Sequence, residues 1–218
     1  MLESDVIRDL IRQYSPDFRL LSDDELQASQ DETLAEWDGK STVWVFGYGS
    51  LIWNPCFDYV DRRKGKIHGY HRAFSLWTPV GRGSPDNPGL VLGLVPGGSC
   101  TGAVIGIEPA KAQSELRVLW RREMVGRAYH PRWVTLKTAE RSIRAIAFVM
   151  NRDHERFADD APAEQIIHAL ATAEGPLGSS YAYLASTLEH LEEMGFRERA
   201  LFEMKDKVDA YRRKITKA

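Results

Sequence analysis

VWVFGYGSLIWNP, residues 43 to 55, is the stretch on which the reading of this chain turns. Val43, Trp44, Val45 and Phe46 form an apolar, β-prone run that reads as a buried strand. Gly47-Tyr48-Gly49-Ser50 breaks it, and Leu51-Ile52-Trp53 restarts the apolar character at once. Glycines at 47 and 49 open backbone conformations closed to other residues and let a ligand approach main-chain N–H groups. Successive amides in such a turn form a concavity for an anion or for an oxygen gaining negative charge. An ordinary strand-ending turn explains the same residues. Two other readings fail. A dinucleotide fingerprint needs a small residue at position 52, which is isoleucine. Ser50 is followed by Leu51 and Ile52, so it is not in a G-x-S-x-G nucleophile elbow.

Working outward, residues 41 to 150 carry short β-rich runs: STVWVFGYG, KIHGYHRAFSLW, GLVLGLVPG, CTGAVIGIE, RWVTLKT and IRAIAFVMN. GRGSPDNPG and PGGS punctuate them. The spacing predicts a mainly antiparallel sheet that curls toward a barrel. PAKAQSELRVLWRREM interrupts the rhythm with helix formers and no glycine until Gly126, which predicts a helix among the strands. Residues 160 to 214 predict three helices: DAPAEQIIHALATAEG, SSYAYLASTLEHLEEMG and ERALFEMKDKVDAYRRK. Residues 1 to 40 also read as helical. Val6, Leu10 and Ile11 recur at helical spacing, and Ser22-Asp23-Asp24-Glu25 is a capping-box pattern before Leu26. The expected fold is α+β: a barrel-like sheet surrounded by helices. Residues 1–40 are expected to form a helical extension to a single domain at 41–218.

The bulk numbers narrow the class. The chain has 218 residues with 43% apolar, enough for a substantial core. A net charge of −2 gives no field to recruit nucleic acid or an anionic membrane. No apolar run approaches a bilayer-spanning length, and the charged start MLESDVIRDLIRQY does not read as a secretory signal. Cys56 and Cys100 are too few for a disulfide framework and lack metal-site spacing, although a single bond between them stays open. The six histidines show no ligand spacing either. A reduced, cytoplasmic protein without metal or cofactor is expected.

Three further stretches bear on chemistry. Glu123 shares a helix face with Leu116, Leu119 and Trp120, so it is a candidate inward carboxyl. Apolar surroundings disfavour its charged form and suit it to proton transfer. The plain alternative is a surface carboxylate paired with Arg121, Arg122 or Arg127. Tyr183 falls one turn into the helix after Gly178-Ser179, where its hydroxyl reaches a pocket or simply packs. Arg82-Gly83-Ser84-Pro85-Asp86-Asn87-Pro88-Gly89 reads as a lid or a solvated turn.

In this order the motifs resemble the ChaC family of γ-glutamylcyclotransferases, its glutathione-specific branch. The resemblance rests on Val45 to Trp53, Arg82-Gly83, Pro88-Gly89, Cys100-Thr101-Gly102, Arg122-Glu123-Met124 with Gly126 and Tyr129, and Gly175 to Gly178 with Tyr183-Leu184. It covers roughly residues 43 to 190 and departs at two places. Val80-Gly81 stands before Arg82-Gly83 where the family often has an aromatic residue and histidine. Ser180 stands where asparagine is common. The resemblance implies a γ-glutamylcyclotransferase-like fold and cyclisation of reduced glutathione to 5-oxoproline and Cys-Gly, without cofactor. It implies Glu123 as the base and acid, with Tyr48, Gly49, Ser50, Leu51, Arg82 and Tyr183 contacting substrate. Two alternatives remain. One is the same chemistry on another γ-glutamyl amino acid or γ-glutamylamine. The other is a module that binds γ-glutamyl compounds without turnover.

Overall fold

The structure is a computed structural model that describes residues 3–16 and 18–217; the side chains of residues 3–7, Val6 among them, lie outside the described ones. The chain forms two compact units, one of residues 1–73 and 94–154, the other of residues 74–93 and 155–218.

In the first unit, α1 (Glu3–Tyr14) and α2 (Asp23–Leu34) precede β1 (Val43–Gly47). The capping box at the start of α2 forms as expected: the Glu25 amide donates to Ser22 Oγ at 3.2 Å, and Ser22 N–H donates to the Glu25 carboxylate at 2.9 Å. Both helices pack on α3 (Ala112–Glu123), which follows a short 3-10 turn at Pro109–Lys111. Leu26 and Gln30 are the buried residues of α2. Leu116, Leu119 and Trp120 of α3 are fully buried, and Trp120 meets Phe148 edge to face at 5.1 Å.

β1, β2 (Asp61–Thr78), β3 (Gly89–Ile107), β4 (Tyr129–Lys137) and β5 (Ser142–Met150) close into a barrel in the order β1-β3-β2-β4-β5. β1 runs antiparallel to β3 from Val43↔Ile107 to Gly47↔Ala103, and β4 runs antiparallel to β5 from Tyr129↔Met150 to Lys137↔Ser142. Closure is parallel, through Val45↔Ile146 and Leu94↔Val149. The expected α+β class and largely antiparallel barrel are therefore both present. The unit boundary cuts β2 after Ala73 and β3 before Leu94.

One element differs from the sequence reading. Pro96-Gly97-Gly98-Ser99 was expected to separate two strands, yet β3 continues through it. Gly97 and Gly98 take φ of 104° and 68°, a backbone region that glycine enters without strain. The glycines therefore bend the strand instead of ending it. Nearby, buried Arg72 on β2 donates through Nη2 to Cys100 Sγ at 3.2 Å and to the Thr101 carbonyl. Cys100 is fully buried, Cys56 is partly exposed, and both remain thiols.

The second unit holds α4 (Ala163–Thr172), the two-residue strands β6 (Glu174–Gly175) and β7 (Gly178–Ser179), α5 (Ser180–Glu193) and α6 (Arg199–Ile215). The three helices pack on one another, with Leu170, Leu184 and Val208 fully buried. Gly195, at φ 71°, ends α5 as a left-handed cap. A polar cluster ties α5 to α6. Tyr181 donates its hydroxyl to Asp209 at 2.8 Å, Lys205 donates to the other carboxylate oxygen at 2.7 Å, and Arg212 lies over the Tyr181 ring at 4.2 Å. Among the described residues, no helix is long and apolar enough to cross a membrane.

The Lys205 hydrogen bond, helped by Tyr181, holds the Asp209 carboxyl below the usual aspartate range. A depressed carboxyl contributes stability above its unfolded pKa and loses it as pH falls through the folded value. Asp209→Asn is therefore expected to lower the melting temperature at neutral pH. The gap to the parent should close as acid titrates Asp209, as followed by thermal unfolding across a pH series.

Candidate active site

The first unit gathers one set of candidate residues at the end of β1. After Gly47, residues Ser50–Ile52 form a 3-10 turn. The amides of Ile52, Trp53 and Asn54 turn back onto the carbonyls of Gly49 and Ser50 at 2.8 to 3.1 Å. Residues 48 and 49 lead the chain from β1 into this turn. The Tyr48 side chain is committed elsewhere. It is 6% exposed, and its hydroxyl donates to the Phe148 carbonyl at 2.8 Å inside the barrel. Leu51 and Ile52 are buried and anchor the turn.

Glu123 is the last residue of α3 and leads into Met124, whose N–H donates to the Trp120 carbonyl. Its side chain is only 15% exposed, and its Oε1 lies 3.3 Å from Arg122 Nε. Arg122 is 9% exposed in its side chain. Its Nη2 donates to Ser50 Oγ and its Nη1 donates to the Asn54 carbonyl at 2.6 Å. One guanidinium thus links the Glu123 carboxylate to both ends of the turn. Glu123 is recessed and forms an ion pair with Arg122.

The second unit gathers the other set. Arg82 lies over the Tyr183 ring, 5.0 Å from its centroid, and its Nη1 reaches the Ser179 carbonyl at 3.5 Å. Tyr183 is 5% exposed and meets Phe74 edge to face at 6.3 Å. Ser179 caps α5 by accepting from the Ala182 amide at 3.0 Å. The loop at 81–89 is fastened to its own unit. Leu177 N–H donates to the Gly81 carbonyl at 2.8 Å, and Asn87 donates to Thr172 Oγ1 at 3.3 Å. Ser180 Oγ accepts from Leu90 N–H at 3.2 Å and donates to the Arg82 carbonyl at 3.1 Å. A Cβ at Gly89 would stand 2.3 Å from that hydroxyl oxygen, so the approach requires glycine.

The family model described as ChaC-like protein matches residues 43–211. The chain belongs to the ChaC-like family. The glutathione-specific gamma-glutamylcyclotransferase of Escherichia coli is 37% identical over 183 residues, covering 84% of this chain and 79% of the relative. Human glutathione-specific gamma-glutamylcyclotransferase 1 is 30% identical over 158 residues, covering 70% and 71%. The crystal structure of a yeast gamma-glutamyl cyclotransferase specific to glutathione superposes with a TM-score of 0.73 at 25% identity, covering 79% of this chain and 98% of that one. The fold is thus the γ-glutamylcyclotransferase fold, and the ChaC-like match contains every candidate residue.

Sequence reasoning treated Arg122 only as a possible partner for Glu123 and did not reach its contacts with Ser50 and Asn54. Those partners lie 72 and 68 residues away in the chain, beyond the reach of helix spacing. Among the described residues, no group of His, Cys, Asp and Glu is arranged to hold a metal ion.

Tyr48→Phe is expected to destabilise the barrel by about 1–3 kcal/mol, since the buried Phe148 carbonyl loses its donor. Urea unfolding of the variant against the parent measures this.

Proposed function

We propose that this ChaC-like protein is a cytoplasmic lyase that cyclises the γ-glutamyl group of reduced glutathione, releasing 5-oxoproline and Cys-Gly. The observation that carries the reading is the recessed Glu123 carboxylate, joined through Arg122 to the turn that begins at Ser50. The names of the relatives, two of them at 30% identity or more, support glutathione as the substrate class.

The reaction suits such a site. The substrate's own α-amine attacks its γ-carbonyl carbon, so a C–N bond forms within the five-membered lactam while the C–N bond to cysteine breaks. No water or protein nucleophile takes part. Tethering gives the amine a high effective concentration once the chain is bent. The α-ammonium must lose its proton before attack, and the amine of Cys-Gly must gain one on departure. A single carboxylate performs both transfers, and Glu123 is assigned that role. The carbonyl oxygen gains negative charge as the ring closes, and the amides of Tyr48, Gly49, Ser50 and Leu51 are assigned to it or to the α-carboxylate. Tyr183 is assigned to the γ-glutamyl group and Arg82 to the glycine carboxylate, in line with the ChaC resemblance.

The test is 5-oxoproline release from reduced glutathione, with γ-Glu-Cys and γ-glutamyl-lysine run in parallel. Glu123→Gln is expected to reduce release roughly a hundred-fold or more while calorimetry still detects glutathione binding. Release at the parental rate would remove Glu123 from the mechanism. Binding of glutathione by the parent without product would instead identify a binding module.

A further inference from the structure

We infer that Arg122 is a positioning residue for ring closure: its guanidinium sets the Glu123 carboxylate against the 48–51 turn. The inference rests on the proposed role of Glu123. Arg122 uses three edges of one rigid plane. Nε faces Glu123 Oε1 at 3.3 Å, Nη2 donates to Ser50 Oγ, and Nη1 donates to the Asn54 carbonyl at 2.6 Å. The fork geometry of guanidinium fixes the angles between these directions, so the three acceptors are held relative to one another and not merely attracted. Its partners come from two places in the chain, the end of α3 and the two ends of the turn.

Two features separate this cluster from an ordinary ion pair. Exposed pairs hold their geometry poorly and contribute little. Here the side chains of both members are largely buried, at 9% and 15% exposed. In addition, the turn is braced without Arg122, because the Trp53 and Asn54 amides donate to the Ser50 carbonyl at 3.1 and 2.8 Å. Removing the guanidinium therefore leaves the turn closed and takes away the contact that ties the carboxylate to it. A proton carrier that moves by about 1 Å loses on the order of a hundred-fold in rate. A lysine at this position keeps the charge but offers one compact ammonium, which does not span three separated acceptors.

The experiment measures kcat and KM for 5-oxoproline release from reduced glutathione in Arg122→Met, Arg122→Lys, Ser50→Ala and the Arg122→Met/Ser50→Ala double variant, with melting temperatures. Arg122→Met is expected to lose on the order of a hundred-fold in kcat with KM little changed. Arg122→Lys is expected to recover only a small part of that loss. Ser50→Ala keeps the ion pair intact and serves if the Arg122 variants fold poorly; it is expected to lose part of kcat at an unchanged melting temperature. The double variant should fall no lower than Arg122→Met alone, because the two residues act as one unit. Parental kcat in Arg122→Met or in Ser50→Ala overturns the inference. So does a raised KM with parental kcat, which would make Arg122 a direct substrate contact, and so does full additivity in the double variant. If Glu123→Gln itself turns over at the parental rate, the role assigned to Glu123 fails and this inference falls with it, while the cyclisation activity stands. If Glu123→Gln is inactive while Arg122→Met is fully active, the inference alone falls.

Discussion

The carbonyl of Gly47 lies where a side chain at position 102 would have to go: a Cβ built on Gly102 would stand 2.3 Å from that oxygen and 2.9 Å from the Phe46 ring. No residue but glycine fits there without moving backbone. This close approach lets β1 stay paired with β3 to its last residue, at Gly47↔Ala103, before the chain turns. The turn then starts at a fixed height on the barrel, and the buried Leu51 and Ile52 keep it there. The end of α3 meets it through Arg122. The start of the turn is thus set by packing at two glycines, and one guanidinium joins it to the candidate carboxylate.

The second unit is organised by a different kind of contact. Ser180, fully buried at the start of α5, joins the main chain at Arg82 to that at Leu90 through a single hydroxyl. Gly175 packs so closely on the loop that an added Cβ would stand 2.4 Å from the Gly81 carbonyl oxygen. Arg82 is thereby presented from a fastened segment and lies over the face of Tyr183, a favourable seat for a guanidinium on an aromatic ring. Serine at 180 thus has a clear structural account.

Where local rules govern, the sequence was readable. The Ser22–Glu25 capping box, the apolar face of α3 and the alternation of β-rich runs each depend on neighbours a few residues apart. The strand break at Gly47 to Ser50 was visible for the same reason. What escaped depends on distant partners. The Tyr48 hydroxyl donates to the Phe148 carbonyl, a hundred residues on, so the side chain serves the barrel. The wider role of Arg122 depends on Ser50 and Asn54, which no helical spacing brings to mind. Gly97-Gly98 looked like a strand end because glycine pairs usually mark turns. Pairing on either side of them kept the strand continuous.

The burial of Cys100 beside the Arg72 guanidinium bears on the redox behaviour of the molecule. Disulfide exchange requires that a second sulfur reach the thiol. Cys100 is sealed within the barrel unit at 0% exposure, whereas Cys56 is partly open to solvent. Mixed disulfides with small thiols in the medium should therefore form at Cys56, and the sulfur on β3 should be spared glutathionylation for as long as the barrel stays folded.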